Sequence, residues 1–293
     1  MRILITADLH YDIARSKEPA RDLASRVMAA AHEGDVLVLL GDTAGADTRI
    51  LREALELFAD FPGHKLMVMG NHCLWRRGEE TSMDRYERII PAAAEEAGFT
   101  PLDHRPVVLG RVGIVGSVGW YDYSFREESL GIPEAFYRSK VAPGAAAYLE
   151  EHHALAEAHR DVLTEEQLAL GVRWMDGVHV NLGVSDEEFT RMLAGKLKRQ
   201  MDEIAPRVDE IVAFLHHLPF RELVPKGRPP RFAFAAAYMG SEQFGKVLLE
   251  QPKVSRVYCG HSHWPHRQRI GRLDVVNVGS TYTHKQLEVI EIP

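Results

Sequence analysis

The stretch at residues 1–11, MRILITADLHY, decides how the chain is read. Residues 2–7 are apolar enough for a buried strand, and they run into Asp8 and His10, two metal-capable side chains one residue apart. In extended backbone, side chains at i and i+2 point to the same side, so the spacing predicts that one ion can be held by both. A carboxylate paired with a neutral imidazole suits Mn, Fe, Zn or Co better than Mg or Ca. Alone, Asp-x-His has a plainer reading, in which Asp8 caps the next turn and His10 is simply exposed. The pair gains weight from the rest of the chain.

The same design recurs. Residues 35–40, DVLVLL, have the continuous valine and leucine run of a strand covered on both faces, and they end in Gly41-Asp42. Residues 65–69 predict a third strand, ending in Gly70-Asn71-His72. Helices are predicted over 19–32, stopped by Gly34, and over 47–61. A further helix is predicted over 82–98, with Ser82 as N-cap and a kink at Pro91. Residues 105–109 and 112–118 read as a hairpin around Gly110-Arg111. Strand 210–215 delivers His216-His217, and strand 254–258 leads to Gly260-His261-Ser262-His263. Short strands are expected at 266–270, 273–278 and 286–292. Strands alternating with helices bring these polar ends to one sheet edge, where open α/β sheets place their ligands.

Between the two halves the rhythm changes. Residues 124–207 are polar, mostly helical and interrupted by Pro133, Pro143, Gly171, Gly177 and Gly183, with one clear helix from 186 to 204. This segment reads as an insertion capping the site. Trp120, Tyr121 and Tyr123 lead into it, and Arg126, Arg138 and Lys140 offer phosphate contacts. Residues 225–239, with KGRPPR before an apolar stripe, read as a lid. His152, His153, His159, His179 and His284 lack ligand spacing and are read as ordinary histidines.

Composition narrows the class. The 293 residues are 45% hydrophobic and 26% charged, ordinary for a soluble globular protein. No apolar run approaches the roughly 18 residues of a membrane span, and the first seven residues are too short for a signal peptide. A cytoplasmic protein with no membrane partner is expected. Two cysteines, Cys73 and Cys259, cannot build a disulfide framework and fit a reducing compartment. Both are read as small buried apolar residues, with thiolate ligation or a redox switch as the alternative. A net charge of −7 disfavours duplex nucleic acid, which needs clustered Lys and Arg.

The series D-x-H, G-D, G-N-H, H-x-P and G-H-x-H, each after a strand and in this order over residues 3–280, resembles the calcineurin-like metallophosphoesterase family. The resemblance implies a single domain over 1–293 with the helical insertion. Its fold would be an α/β four-layer α/β/β/α sandwich of two mixed β-sheets, with a dinuclear metal site at their carboxyl edge. On that pattern Asp8, His10 and His263 hold one ion, Asn71, His261 and one histidine of the 216–217 pair hold the other, and Asp42 bridges. Neighbours on a strand point to opposite sides, so only one of that pair is a ligand. The family's His-x-Pro spacing is met by His217-Leu218-Pro219, which selects His217 and leaves His216 in support. His72 is the implied catalytic residue, protonating the leaving oxygen or binding phosphate. The family usually places an acid after G-N-H; here Cys73 stands there, so a carboxylate partner for His72 does not carry over. Asn277, Gly279 and Ser280 resemble the family's closing motif.

Ligand chemistry agrees. Two divalent ions roughly 3.5 to 4 Å apart can share a hydroxide, bring its pKa toward neutrality and clamp a phosphoryl group. A carboxylate suits the bridge because it has two oxygens and a charge that offsets the cations. The expected function is a metal-dependent phosphohydrolase cleaving a small-molecule phosphomonoester or phosphodiester by attack of the metal-bridging hydroxide. The two divalent ions are drawn from Mn, Fe, Zn, Co or Ni, with Mn first. A nuclease or a cyclic or dinucleotide phosphodiesterase on the same site is the alternative, and a non-catalytic metal-binding scaffold is the third reading. Because every predicted ligand lies outside 124–207, the insertion is expected to set substrate size without touching metal binding; the competing idea is a dimerisation arm.

Overall fold

Eleven strands make two sheets in a computed structural model that describes residues 1–292. They are β1 (Arg2–Thr6), β2 (Val36–Leu40), β3 (His64–Val68), β4 (Phe99–Pro101), β5 (Val107–Leu109), β6 (Val112–Ser117), β7 (Glu210–Leu215), β8 (Val254–Cys259), β9 (His266–Ile270), β10 (Leu273–Asn277) and β11 (Glu288–Glu291). One sheet has the order β11-β1-β2-β3-β4, the other β5-β6-β7-β8-β10-β9. Both are mixed: β11 runs antiparallel to β1, and β5 and β9 antiparallel to β6 and β10, around parallel centres.

Side-chain parity builds the layers. In β2, Val36, Val38 and Leu40 pack with Ile3 and Ile5 of β1 and with Val212 and Phe214 of β7, filling the space between the sheets. Leu37 and Leu39 face the other way, into a second cluster with helix residues Leu23, Val27, Leu51 and Leu55. Period-two alternation with both faces apolar thus yields sheet on sheet with helices outside. This is the α/β/β/α sandwich, not a barrel. Among the described residues no helix is long and apolar enough to cross a membrane.

Several expectations shift. The helix predicted over 82–98 is capped by Thr81, not Ser82, because Thr81 and Asp84 close a reciprocal capping box. Arg85–Ile89 then forms a π-turn directly before helix Ile90–Glu96, where Pro91 at the second position needs no N–H partner. β4 was not anticipated; it is three residues long and follows Gly98. The segment 124–207 divides. Helix Asp186–Ile204 packs on β6 and on helix Glu242–Glu250, and is the crossover that parallel neighbours β6 and β7 require. Only the irregular part before it, with short helices such as Glu134–Arg138 and Asp176–His179, is an excursion from the sandwich.

Candidate metal centre

The polar strand ends meet at one edge, but five of the candidate ligands are not on extended backbone. Asp8 (φ 54°), His10 (43°), Asp42 (47°), His261 (68°) and His263 (55°) are all left-handed. A non-glycine residue there is strained, and such outliers gather where surrounding structure imposes them. β1 ends at Thr6, and beyond it the loops hold each other: the Asp8 N–H donates to the Gly41 carbonyl at 3.1 Å and the His10 N–H to the Asp42 carbonyl at 2.8 Å. Asp8 and His10 therefore share a side for a different reason than strand alternation.

Glycines give the side chains room. A Cβ on Gly41 would lie 2.1 Å from His216 Nδ1, and one on Gly70 would lie 2.1 Å from Asp42 Oδ1. Three sets of donors result: Asp8, His10 and His263; His10, Asp42 and His72; Asp42, His216 and His261, each with ligand atoms within 4.8 Å of one another. Asp42 joins the last two sets. Its Oδ2 is 3.3 Å from His216 Nε2, 3.7 Å from His10 Nε2 and 3.9 Å from His72 Nε2.

Backbone partners fix which nitrogens face inward. His216 Nδ1 lies 3.2 Å from the Leu40 carbonyl and His261 Nε2 lies 3.2 Å from the Tyr238 carbonyl. A carbonyl only accepts, so these nitrogens carry protons, and His216 Nε2 and His261 Nδ1, 3.2 Å apart, are the positions left to face a cation, or in its absence a proton on His216. His10 Nε2 and His263 Nε2 likewise stand 3.1 Å apart, and His10 Nδ1 and His72 Nδ1 are buried without a partner. Facing nitrogens beside two carboxylates are the donor set of a borderline transition ion, and these residues fit a pair of divalent cations.

The titration behaviour agrees with a cation-shaped hole. Burial holds His10, His261 and His263 below the ordinary imidazole value, and burial with its neighbour His216 takes His217 down to about 3. Burial also opposes charge on His216, yet Asp42 and Asp8 raise it to about 9, so a proton there does the work of a cation. Burial raises Asp8, and burial opposes charge on Asp42, but His216 and His72 hold Asp42 well below the carboxylate range. Unfolded histidines titrate near 6.5, so below that pH the unfolded chain takes up protons that folded His10, His261 and His263 refuse. His216 has the opposite sign, but its stabilisation is complete below 6.5 and is lost only as pH rises toward about 9; Asp8, raised by burial, also has the opposite sign and regains stability as pH falls, one group against three. Metal-free protein should therefore lose thermal stability between pH 7 and 5.5. Denaturation midpoints that stay level over that range would contradict this burial of neutral rings.

His217 does not join the cluster, and here the expectation is corrected. Val212 and Phe214 of β7 face the other sheet, so alternation continued through residue 216 sends His216 into the seam and His217 to the helix side with Leu215. The ladder does continue, with the His216 N–H on the Ser117 carbonyl and the His217 N–H on the Val118 carbonyl, both 3.1 Å. His217 Nδ1 meets the Val118 carbonyl at 2.9 Å, and its Nε2 has no partner. Asn71 is in place, its Oδ1 3.3 Å from His216 Nε2. His72 stacks on Trp75, centroids 3.8 Å apart, and keeps 16% of its side chain exposed. Arg138 is paired with Glu134 and Glu187, and Lys140 with Asp186. Burial pushes the Cys73 thiol up to about 12 and Cys259 well above its usual value, which favours the thiol over the thiolate at both.

Sequence reasoning missed four residues. Lys285 Nζ donates to the Asp8 carbonyl at 2.6 Å, bracing a left-handed ligand. Tyr282 lies 5.0 Å from both His10 and His263, with the Arg15 guanidinium 4.4 Å above its ring. Asp176 comes from the insertion and donates nothing: it accepts from Asn71 Nδ2 at 2.9 Å. The insertion thus lies beside the site as a cap would, but it touches a candidate ligand, which the expectation of metal binding independent of it did not include. None of the four carries a spacing signal.

Residues 1–265 match the family model described as calcineurin-like phosphoesterase. Among curated proteins none matches this sequence. The fold is similar to the phosphopantetheinyl hydrolase from Mycobacterium tuberculosis, at TM-score 0.69 and 18% identity over 96% of this chain and 89% of that one. It is also similar to a dimetal phosphatase from Danio rerio, at TM-score 0.54 and 16% identity over 99% of this chain and 91% of that one. At those identities the likeness is one of fold.

Proposed function

Because the chain belongs to the calcineurin-like phosphoesterase family of metal-dependent phosphoester hydrolases, we propose that it hydrolyses a small phosphomonoester or phosphodiester at the edge where both sheets end. The observation that carries this reading is the position of Asp42, whose carboxylate is common to two sets of inward-facing nitrogens. Asp8, His10 and His263 would hold one ion and Asn71, His216 and His261 the other, with manganese the first metal to try. A divalent pair so held supplies Lewis-acid polarisation of the phosphoryl group and an activated water. The chain's own part is to fix these donors on strained loops, to leave the site open at His72 and His263, and to deliver a proton.

His72 is the proton donor in this reading. Its ring is held by the Trp75 stack, and its backbone N–H donates to Asp42 Oδ1 at 2.9 Å. His72→Ala should retain both ions while losing turnover by about 10²- to 10⁴-fold, with the greatest loss on esters of poor leaving groups. Comparing an alkyl and a nitrophenyl phosphoester tests it; equal losses on both would rule out proton donation.

A nucleotide phosphodiesterase is the second reading, and one observation favours it. Trp264, next to His263, is 46% exposed, with the Arg228 guanidinium of the basic turn 4.2 Å over its ring. An exposed indole beside a cation suits a base and its phosphate. A panel of monoesters, cyclic nucleotides, dinucleotides and a phosphopantetheinyl diester, assayed with Mn-loaded protein, separates the two; no turnover of any member would leave the scaffold.

A further inference from the structure

Asp176 is 1% exposed and lies at the start of helix Asp176–His179 in the excursion. Its Oδ1 accepts from Asn71 Nδ2 at 2.9 Å and Trp75 Nε1 at 2.6 Å, and its Oδ2 accepts from Trp174 Nε1 at 2.8 Å and Tyr121 OH at 3.0 Å. All four donors are neutral groups. Hydrogen-bonded carboxylates without a cation are costly to bury, and one receiving four neutral donors invites a functional account.

Two of those donors belong to the site. An amide has one accepting and one donating end, and a carboxylate facing it selects the donating end. Asp176 therefore turns the Asn71 NH2 away from the ions' side and the Asn71 Oδ1 toward His216 Nε2. Trp75, gripped through its indole N–H, stacks with His72 at 3.8 Å and with His179 at 4.5 Å. One carboxylate sets both a proposed metal ligand and the platform under the proposed acid. The excursion is also tied to the loop after β3 by backbone: Arg76 N–H to the His179 carbonyl and Ser82 N–H to the Asn181 carbonyl, both at 2.9 Å.

We infer that Asp176 is the positioning residue through which the excursion completes the metal site, so that docking of residues 174–181 and binding of the ion at Asn71 favour each other. The inference rests on Asn71 being a ligand. Coupling of this kind is reciprocal: what docking contributes to ion affinity, the ion returns to docking.

The test is calorimetric titration of metal-stripped protein with MnCl2. Asp176→Asn should weaken one of two Mn sites by about 10- to 100-fold, the scale of lost orienting partners, and leave the other unchanged. Asn71→Ala should weaken the same site, and the double variant should bind no worse than Asn71→Ala alone, since Asp176 acts through Asn71. Tyr121→Phe, which removes another donor from the same carboxylate, should titrate as wild type. Additive losses, a Tyr121→Phe effect equal to that of Asp176→Asn, or unaltered Mn binding in Asp176→Asn would overturn the inference. A second measurement needs no variant: Mn should slow amide hydrogen exchange across residues 174–181 of the wild-type chain, and exchange there indifferent to Mn would overturn it equally. If the wild type takes fewer than two Mn, or Asn71→Ala binds as tightly as wild type, the ligand assignment is at fault instead.

Discussion

Asp42→Asn is expected to empty both metal positions and to lower kcat/KM by about 10³-fold or more. The two side chains are nearly the same shape, so the effect isolates charge and donor pattern. Asp42 Oδ1 accepts the His72 N–H at 2.9 Å, which in the variant would keep the amide oxygen at that end. The NH2 then occupies the place of Oδ2, facing His10, His72 and His216 nitrogens at 3.7, 3.9 and 3.3 Å. A donor replaces an acceptor where a cation should lie, and one negative charge is gone from beside two dications. Elemental analysis of Mn-loaded protein with turnover of bis-nitrophenyl phosphate measures both effects. Two equivalents of Mn in the variant would end the bridging role.

The adjacent histidines should separate as sharply. His216→Ala removes a nitrogen lying 3.3 Å from both Asp42 Oδ2 and Asn71 Oδ1, and should lose one Mn and about 10³-fold in kcat/KM. His217→Ala should keep two Mn. Its ring lies against His261 at 4.2 Å and Trp120 at 5.2 Å, so the loss there is packing, about 1–3 kcal/mol of stability. Metal counts by variant, with urea denaturation of each, distinguish them; the reverse pattern would restore His217 as ligand.

That pair shows what could be read in the sequence and what could not. That β2 is covered on both faces was legible in its VLVLL run, whereas that one of the covers is a second sheet came from the family resemblance. The order of polar strand ends was legible because each follows such a run. Choosing between His216 and His217 needed the facing of β7, a property of the assembled sheets, and the spacing borrowed from the family pointed to the neighbour that faces the helix side. The helix Asp186–Ile204 was recognised from its periodicity, but its place in the outer layer depends on β6 and β7 being parallel, which local pattern does not contain. Left-handed backbone at Asp8 and His10 is imposed by the loop after β2 through two long-range hydrogen bonds. Asp176 acquires meaning only from aromatic and amide donors gathered at residues 71, 75, 121 and 174.

The proposed ligands are divided between the sheets: Asp8, His10, Asp42 and Asn71 follow strands of one, His216, His261 and His263 strands of the other. His10 and His263 stand 253 residues apart in the chain. Closing so long a loop precedes any reward from the contact it makes, so ions cannot seed the fold; they meet their ligands only after the two sheets have found each other. Interactions formed that late hold back escape from the native state and do little for the speed of reaching it. The metals are then latches on a finished molecule as well as reagents, and a chelator would shorten the protein's working life without hindering its folding.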